Sequence, residues 1–178
     1  PGYLEIIPRF PEVASLLRNS KVEIVIDDGR RWLARHPDRR FDFVVQNTTW
    51  HFRAHATNLL STEYLALTAE HLAPGGVLFF NTTGSRDAQL TAAKSFPHAY
   101  RVLNFMAVGN DPIVLDKERW RRVLTSYEVD GRRVFDLGSA AHRERLEEVL
   151  SLIDEPVPPT EAEFFVQWRR NAEASEIH

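Results

Sequence analysis

There is no cysteine in this chain of 178 residues, which excludes disulfides, thiolate metal sites and cysteine nucleophiles together. A reducing, cytoplasmic setting is the compatible expectation. No apolar run approaches the roughly 18 residues of a membrane span, and no signal peptide is visible, so no membrane contact is expected of this segment. Excess positive charge is also missing. Lys and Arg number 22 against 25 Asp and Glu, a net charge of -3, which disfavours wholesale binding to nucleic acid or to an anionic membrane. No Gly-x-Ser-x-Gly, P-loop or complete Gly-x-Gly-x-x-Gly is present, leaving hydrolase and nucleotide-phosphate readings without support. The chain has no internal repeat and no low-complexity tract. It also lacks an initiator methionine, and Pro1-Gly2-Tyr3 runs at once into an apolar segment. The expectation is a fragment or excised domain with sequence before residue 1.

What is present is the length and composition of one soluble globular domain with a sizeable core. Apolar runs end in polar or acidic residues and alternate with helical patterns, which predicts an open α/β sheet. Tyr3 to Ile7 reads as a first strand closed near Glu5, and Pro11 to Arg18 as a helix. Lys21 to Ile26 reads as a β-branched second strand ending in Asp27-Asp28-Gly29, and Arg30 to Arg35 as a short helix. Phe41 to Gln46 is the third strand. Ser61 or Thr62 then caps a helix reaching Leu72, Ala73-Pro74-Gly75-Gly76 stops it, and Val77 to Asn81 is the fourth strand. A helix follows from Ser85 to Phe96, with a fifth strand at Tyr100 to Val108 and a sixth at Pro112 to Leu115. Lys117 to Leu124 and His142 to Ile153 are helical, and Val129 to Phe135 is a hairpin on Asp130-Gly131. Residues 1–155 thus form the α/β domain. Residues 156–178 form a proline-rich linker and a carboxy-terminal helix, whose capping box is Thr160 to Glu163 and whose apolar side is Phe164, Phe165 and Trp168.

In a strand–helix–strand unit of a parallel sheet, ligands lie just past the carboxyl ends of the strands. That places Gln46 to His51, and Asn81 to Gly84, at the ligand edge. Glu5 and Asp28 are the acidic residues at strand ends, where a carboxylate accepts hydrogen bonds from ribose or adenine; a solvated turn acid is the competing explanation. His51 and His55 stand four apart, but no helix is expected there and neither a carboxylate nor a third ligand is near, so no metal is expected. Trp50 reads first as a packing residue. The arginine groups around Arg30 to Arg40 and Arg119 to Arg122 are interleaved with acids and read as solvated helix faces.

The order of segments resembles the spermidine synthase family. The resemblance lies in a strand ending at Glu5, another ending in Asp28-Gly29, and Phe41-Asp42-Phe43-Val44-Val45. Most specifically it lies in Leu59-Leu60-Ser61-Thr62-Glu63-Tyr64, followed by Leu72-Ala73-Pro74-Gly75-Gly76-Val77-Leu78. It spans about residues 4 to 116. It implies a Rossmann-like fold of the S-adenosylmethionine-dependent methyltransferase type, a mostly parallel sheet with helices on both faces. It further implies binding of decarboxylated S-adenosylmethionine, or of S-adenosylmethionine, and transfer of an aminopropyl group to a polyamine without a metal. By position, the resemblance assigns the ribose to Glu5 and the adenine to Asp28, with Gly29 permitting close approach.

The family's catalytic aspartate falls on Asn47 here, and its second aspartate, which holds the polyamine, on Trp50, with His51 beside it as a further substrate contact. An amide does not take a proton from an ammonium group, and indole supplies no negative charge. Another acid, such as Asp27 or Asp42, would then replace the base, although Asp42 lies inside a strand. The family's Gly-rich loop and small amino-terminal β-domain, through which such enzymes often assemble, are not in this sequence, and a homo-oligomer is left open. Three expectations therefore stand side by side: a divergent aminopropyltransferase, a small-molecule methyltransferase using S-adenosylmethionine, and a non-catalytic ligand-sensing or interaction domain.

Overall fold

The computed structural model describes residues 2–47, 56–129 and 131–151. The chain divides into two compact units, Pro1–His36 and Pro37–His178. The expected linker and carboxy-terminal helix lie outside the described residues.

The first unit is helical. A short helix α1 covers Gly2–Ile6, a 3-10 turn Ile7–Arg9, a helix α2 Pro11–Ala14 with a 3-10 turn Ser15–Arg18, and a helix α3 Gly29–Arg35. Two expected strands are corrected here. Tyr3 to Ile7 is mostly helix rather than strand, because an apolar run of five residues suits either state and only a partner strand would decide. Lys21 to Ile26 takes no regular structure. Its β-branched residues favour extension, but a strand exists only where its N–H and C=O groups meet a neighbour's, and no described strand pairs with it. Val22, Ile24, Val25 and Ile26 are accordingly exposed.

The second unit is α/β. Its sheet has the order β1-β2-β4-β3, with β1 at Phe41–Gln46, β2 at Leu72–Asn81, β3 at His98–Val102 and β4 at Phe105–Gly109. The β1–β2 pair is parallel, and helix α4, Thr62–Glu70, lies between them in sequence. The β2–β4 and β3–β4 pairs are antiparallel. The described sheet is thus mixed, not mostly parallel. The reason is local: the expected fifth strand is two strands, folded back at Leu103-Asn104, with Leu103 at φ 54. The expected sixth strand at Pro112 to Leu115 has no ladder.

Helix α4 is capped by the Ser61 hydroxyl, which accepts from the Tyr64 N–H, and helix α5, Arg86–Ser95, by Ser85, which accepts from Ala88. Both helices pack on one face of the sheet. Leu65, Ala88 and Ala92 meet Leu78 and Phe80 of β2 and Met106 and Val108 of β4. Alternate residues of the strands point the other way. There Phe43 and Val45 stay 57% and 61% exposed, with the Phe43 and Phe105 rings each stacked against Phe79. Helices were expected on both faces; within this unit the described α4 and α5 cover one.

Where β1 and β2 first meet, Phe41 pairs with Leu72 but Phe43 with Val77. Ala73-Pro74-Gly75-Gly76 is therefore a bulge at the start of β2 rather than a plain stop before it. Pro74 is tolerated because a bulged residue owes no hydrogen bond to the ladder. Asp111 accepts from the Gly75 N–H at 2.8 Å, and Asn110 donates to Ala69 O near the end of α4 at 2.9 Å. The turn after β4 thus clamps the α4–β2 connection.

Beyond the sheet, helix α6, Lys117–Ser126, and helix α7, Ala140–Ser151, flank a two-stranded hairpin, β5 at Glu128–Val129 and β6 at Arg132–Arg133. This matches the expected hairpin. Phe135, Leu146 and Leu150 form a second small core with Leu124 and Val149. Among the described residues, no helix is long and apolar enough to cross a membrane.

Candidate functional site

The carboxyl ends of β1 and β2 lie side by side, Gln46 in register with Phe80. They bring together Gln46 and Asn47 from one strand and Asn81, Thr82 and Thr83 from the other. Asn81 Oδ1 accepts from the Thr83 backbone N–H at 2.7 Å, and Asn81 Nδ2 donates to Asn47 Oδ1 at 3.0 Å. A backbone N–H is always a donor, so it fixes which end of the Asn81 amide is oxygen, and Asn81 in turn orients Asn47.

The loop after β2 is held firmly. Thr82 is fully buried. Its N–H and hydroxyl both donate to Asn104 O, at 2.8 and 2.7 Å, while Gln89 Nε2 donates to Thr82 Oγ1 at 3.1 Å. Thr83 sits at φ 49, a left-handed conformation that a β-branched residue rarely adopts, and Gly84 follows at φ 77. Strain of this kind persists only where its surroundings over-determine it, and it concentrates at ligand-binding edges.

Gln46 faces the helices and is 8% exposed. Its Nε2 donates to Leu59 O at 3.2 Å, and its Oε1 is buried without a partner. Leu59 opens the stretch that carries the resemblance, so Gln46 ties the strand end to it. The Glu63 carboxyl, in the first turn of α4, is held below its ordinary value. Its own backbone N–H contributes most, then the Ser61 hydroxyl, against some loss of hydration, with Thr62 adding less.

The expected nucleoside-side residues belong to the first unit. Glu5 is exposed within α1, not at the end of a strand. Asp28 is the N-cap of α3, and its Oδ1 accepts from the N–H groups of Arg30 and Arg31 at 3.0 and 3.1 Å. The Arg31 N–H is the largest cause holding its carboxyl below the ordinary aspartate value; desolvation opposes it, and Arg30 adds further lowering. The Asp-Gly pair therefore does have a structural task, capping. Gly29 is the first helical residue, and a Cβ there would meet nothing within 4 Å.

Of the two acids proposed to replace the base, Asp27 belongs to the first unit and Asp42 to the second. Asp27 is ion-paired with Arg35 and accepts from the Asp28 N–H. Asp42 is exposed near the start of β1, away from its carboxyl end. Trp50 and His51 lie outside the described residues. Among the described residues, no three His, Cys, Asp or Glu side chains stand together as metal ligands.

Sequence reasoning located this edge but missed the pairing of Asn81 with Asn47. The only signal for it was an amide at the end of each of two strands expected to be neighbours. A separate cavity of about 490 Å³ is lined by Val114, Asp116, Trp120 and Val123 among others, and shares no residue with the strand edge. No protein-family model matches the chain, and no curated protein matches it.

Proposed function

We propose that the chain is a spermidine synthase-like domain of Rossmann-like, methyltransferase-type fold. In this reading it binds a nucleoside of the S-adenosylmethionine class, decarboxylated or not. The observation that carries the reading is the parallel β1–α4–β2 unit. Its family-like residues hold specific posts, Ser61 as cap and Gly75-Gly76 as the bulge that seats β2, and its strand ends meet at a rigid polar edge. Ligands of open α/β sheets bind at such an edge.

Aminopropyl transfer to a polyamine needs a base for the attacking amine, and the amide of Asn47 is not one. The same geometry favours a second reading, a methyltransferase that uses S-adenosylmethionine on an acceptor needing no carboxylate at this position. A non-catalytic ligand-sensing domain is the third.

Calorimetric titration of the chain with S-adenosylmethionine, its decarboxylated form and methylthioadenosine separates the three. Preference for the decarboxylated form supports the transferase, and preference for S-adenosylmethionine supports the methyltransferase. Failure of all three nucleosides to bind overturns nucleoside recognition.

A further inference from the structure

The hydrogen bonds at the strand edge have a direction. It starts at the Thr83 N–H, which donates to Asn81 Oδ1, and continues from Asn81 Nδ2 to Asn47 Oδ1. Both amides are thereby oriented by a group that cannot reverse. What remains at the exposed end is the Asn47 NH₂, a pair of donors. Where amine chemistry requires an acceptor, this edge presents a donor.

The two segments that meet at this edge carry no acid of their own; Glu63 and Asp87 come next, in the first turns of α4 and α5. From Asn47 to Thr62 the chain carries no Asp or Glu, and none occurs from His71 to Arg86. An ammonium group placed against the Asn47 NH₂ would meet N–H rather than a lone pair and would lose hydration without return. A carboxylate would accept from it, and a hydrogen bond to a charged acceptor is the stronger kind.

We propose that Asn47 is a specificity residue that selects a carboxylate-bearing ligand at the β1–β2 edge and rejects a polyamine, with Asn81 as its positioning residue. The inference rests on the reading of this edge as the ligand edge. It names the ligand's chemistry there. The carboxylate belongs either to the amino-acid tail of S-adenosylmethionine or to a separate acceptor molecule.

The test follows the side-chain amide of Asn47 by ¹⁵N NMR in the full chain. S-adenosylmethionine, its decarboxylated form, methylthioadenosine, succinate and putrescine are the probes. A shift with S-adenosylmethionine but not with its decarboxylated form places the carboxylate on the nucleoside. A shift with succinate alone places it on an acceptor. Either result supports the proposal.

Asn47→Asp should then weaken the responding carboxylate probe by about tenfold or more and raise putrescine affinity. Asn81→Leu should abolish the selectivity with the Asn47 side chain still present. Should Asn81→Leu fail to fold, Asn81→Asp, which keeps the acceptor for Thr83 but removes the donor to Asn47, replaces it. Putrescine binding as tightly as succinate and S-adenosylmethionine, or no probe moving the Asn47 resonance, overturns the proposal. Methylthioadenosine binding measured by calorimetry distinguishes this failure from failure of nucleoside recognition, because it carries no carboxylate.

Discussion

A Cβ on Gly76 would stand 2.7 Å from the carbonyl oxygen of Phe41, with Ala73 O at 2.8 Å and Ala73 N at 3.0 Å. All three neighbours are backbone, so none can swing aside. Gly75, one residue earlier, is different: it sits at φ 73 with nothing within 4 Å of a Cβ. The two glycines of the Pro-Gly-Gly turn therefore answer to different constraints. Gly75→Ala should cost about 1 kcal/mol for its left-handed backbone. Gly76→Ala should cost about 3 kcal/mol or more, because β1 and β2 must separate. Urea denaturation of the two variants checks the order; equal losses would contradict the seat assigned to Gly76.

The Arg121 and Glu147 side chains join α6 to α7 as a forked pair, with Arg121 Nη2 2.9 Å from Glu147 Oε2. The Arg121 hydrogen bond is the main cause that holds the Glu147 carboxyl below its ordinary 4.5. A carboxylate depressed on folding adds stability above its unfolded pKa and loses that contribution as pH falls through the folded value. The stability difference between wild type and Glu147→Gln should thus be constant near neutral pH. It should shrink toward zero as the pH falls from 4.5 through the lowered folded value. Glu147 is exposed and Arg121 half-buried, so salt reaches the pair and should reduce the difference further. Denaturation curves at a series of pH values test this, and a difference that grows in acid would sink it.

Asp28 carries two assignments, helix cap and nucleoside contact, and Asp28→Asn separates them. Asparagine caps a helix about as well as aspartate does. The variant should therefore keep the melting temperature of wild type nearly unchanged. If the carboxylate meets adenine or ribose, affinity for methylthioadenosine should fall about tenfold, the worth of one charged hydrogen bond. An unchanged affinity would leave Asp28 as a cap alone.

Local signals were legible in the sequence because their physics is local. Ser61 and Ser85 cap helices through bonds that span three residues, and the hairpin pairs Glu128–Val129 with Arg132–Arg133, close neighbours in the chain. Asn47 was identified at a strand end, and the edge Asn81 to Gly84 beside it, from the alternation of apolar runs alone. The register of β1 against β2 was not legible, because the bulge at Pro74-Gly75-Gly76 depends on how closely Gly76 approaches Phe41. Nor was the strand count: the turn at Leu103 requires a left-handed leucine, which no composition rule predicts.

By itself, then, the sequence determined the elements whose stabilising contacts lie within a turn or two of the chain, and an α/β class in the second unit. Tertiary structure decided whether an extended, β-branched run became a strand. Phe41 to Gln46 found Leu72 to Phe80 as a partner, while Lys21 to Ile26 found none among the described strands. Backbone donors and acceptors need a neighbour, and composition does not supply one. The polarity of the candidate site was decided in the same way. Asn47 by itself is donor and acceptor alike. Only the bond from Asn81, anchored on Thr83 and 34 residues away in sequence, turns its donor outward.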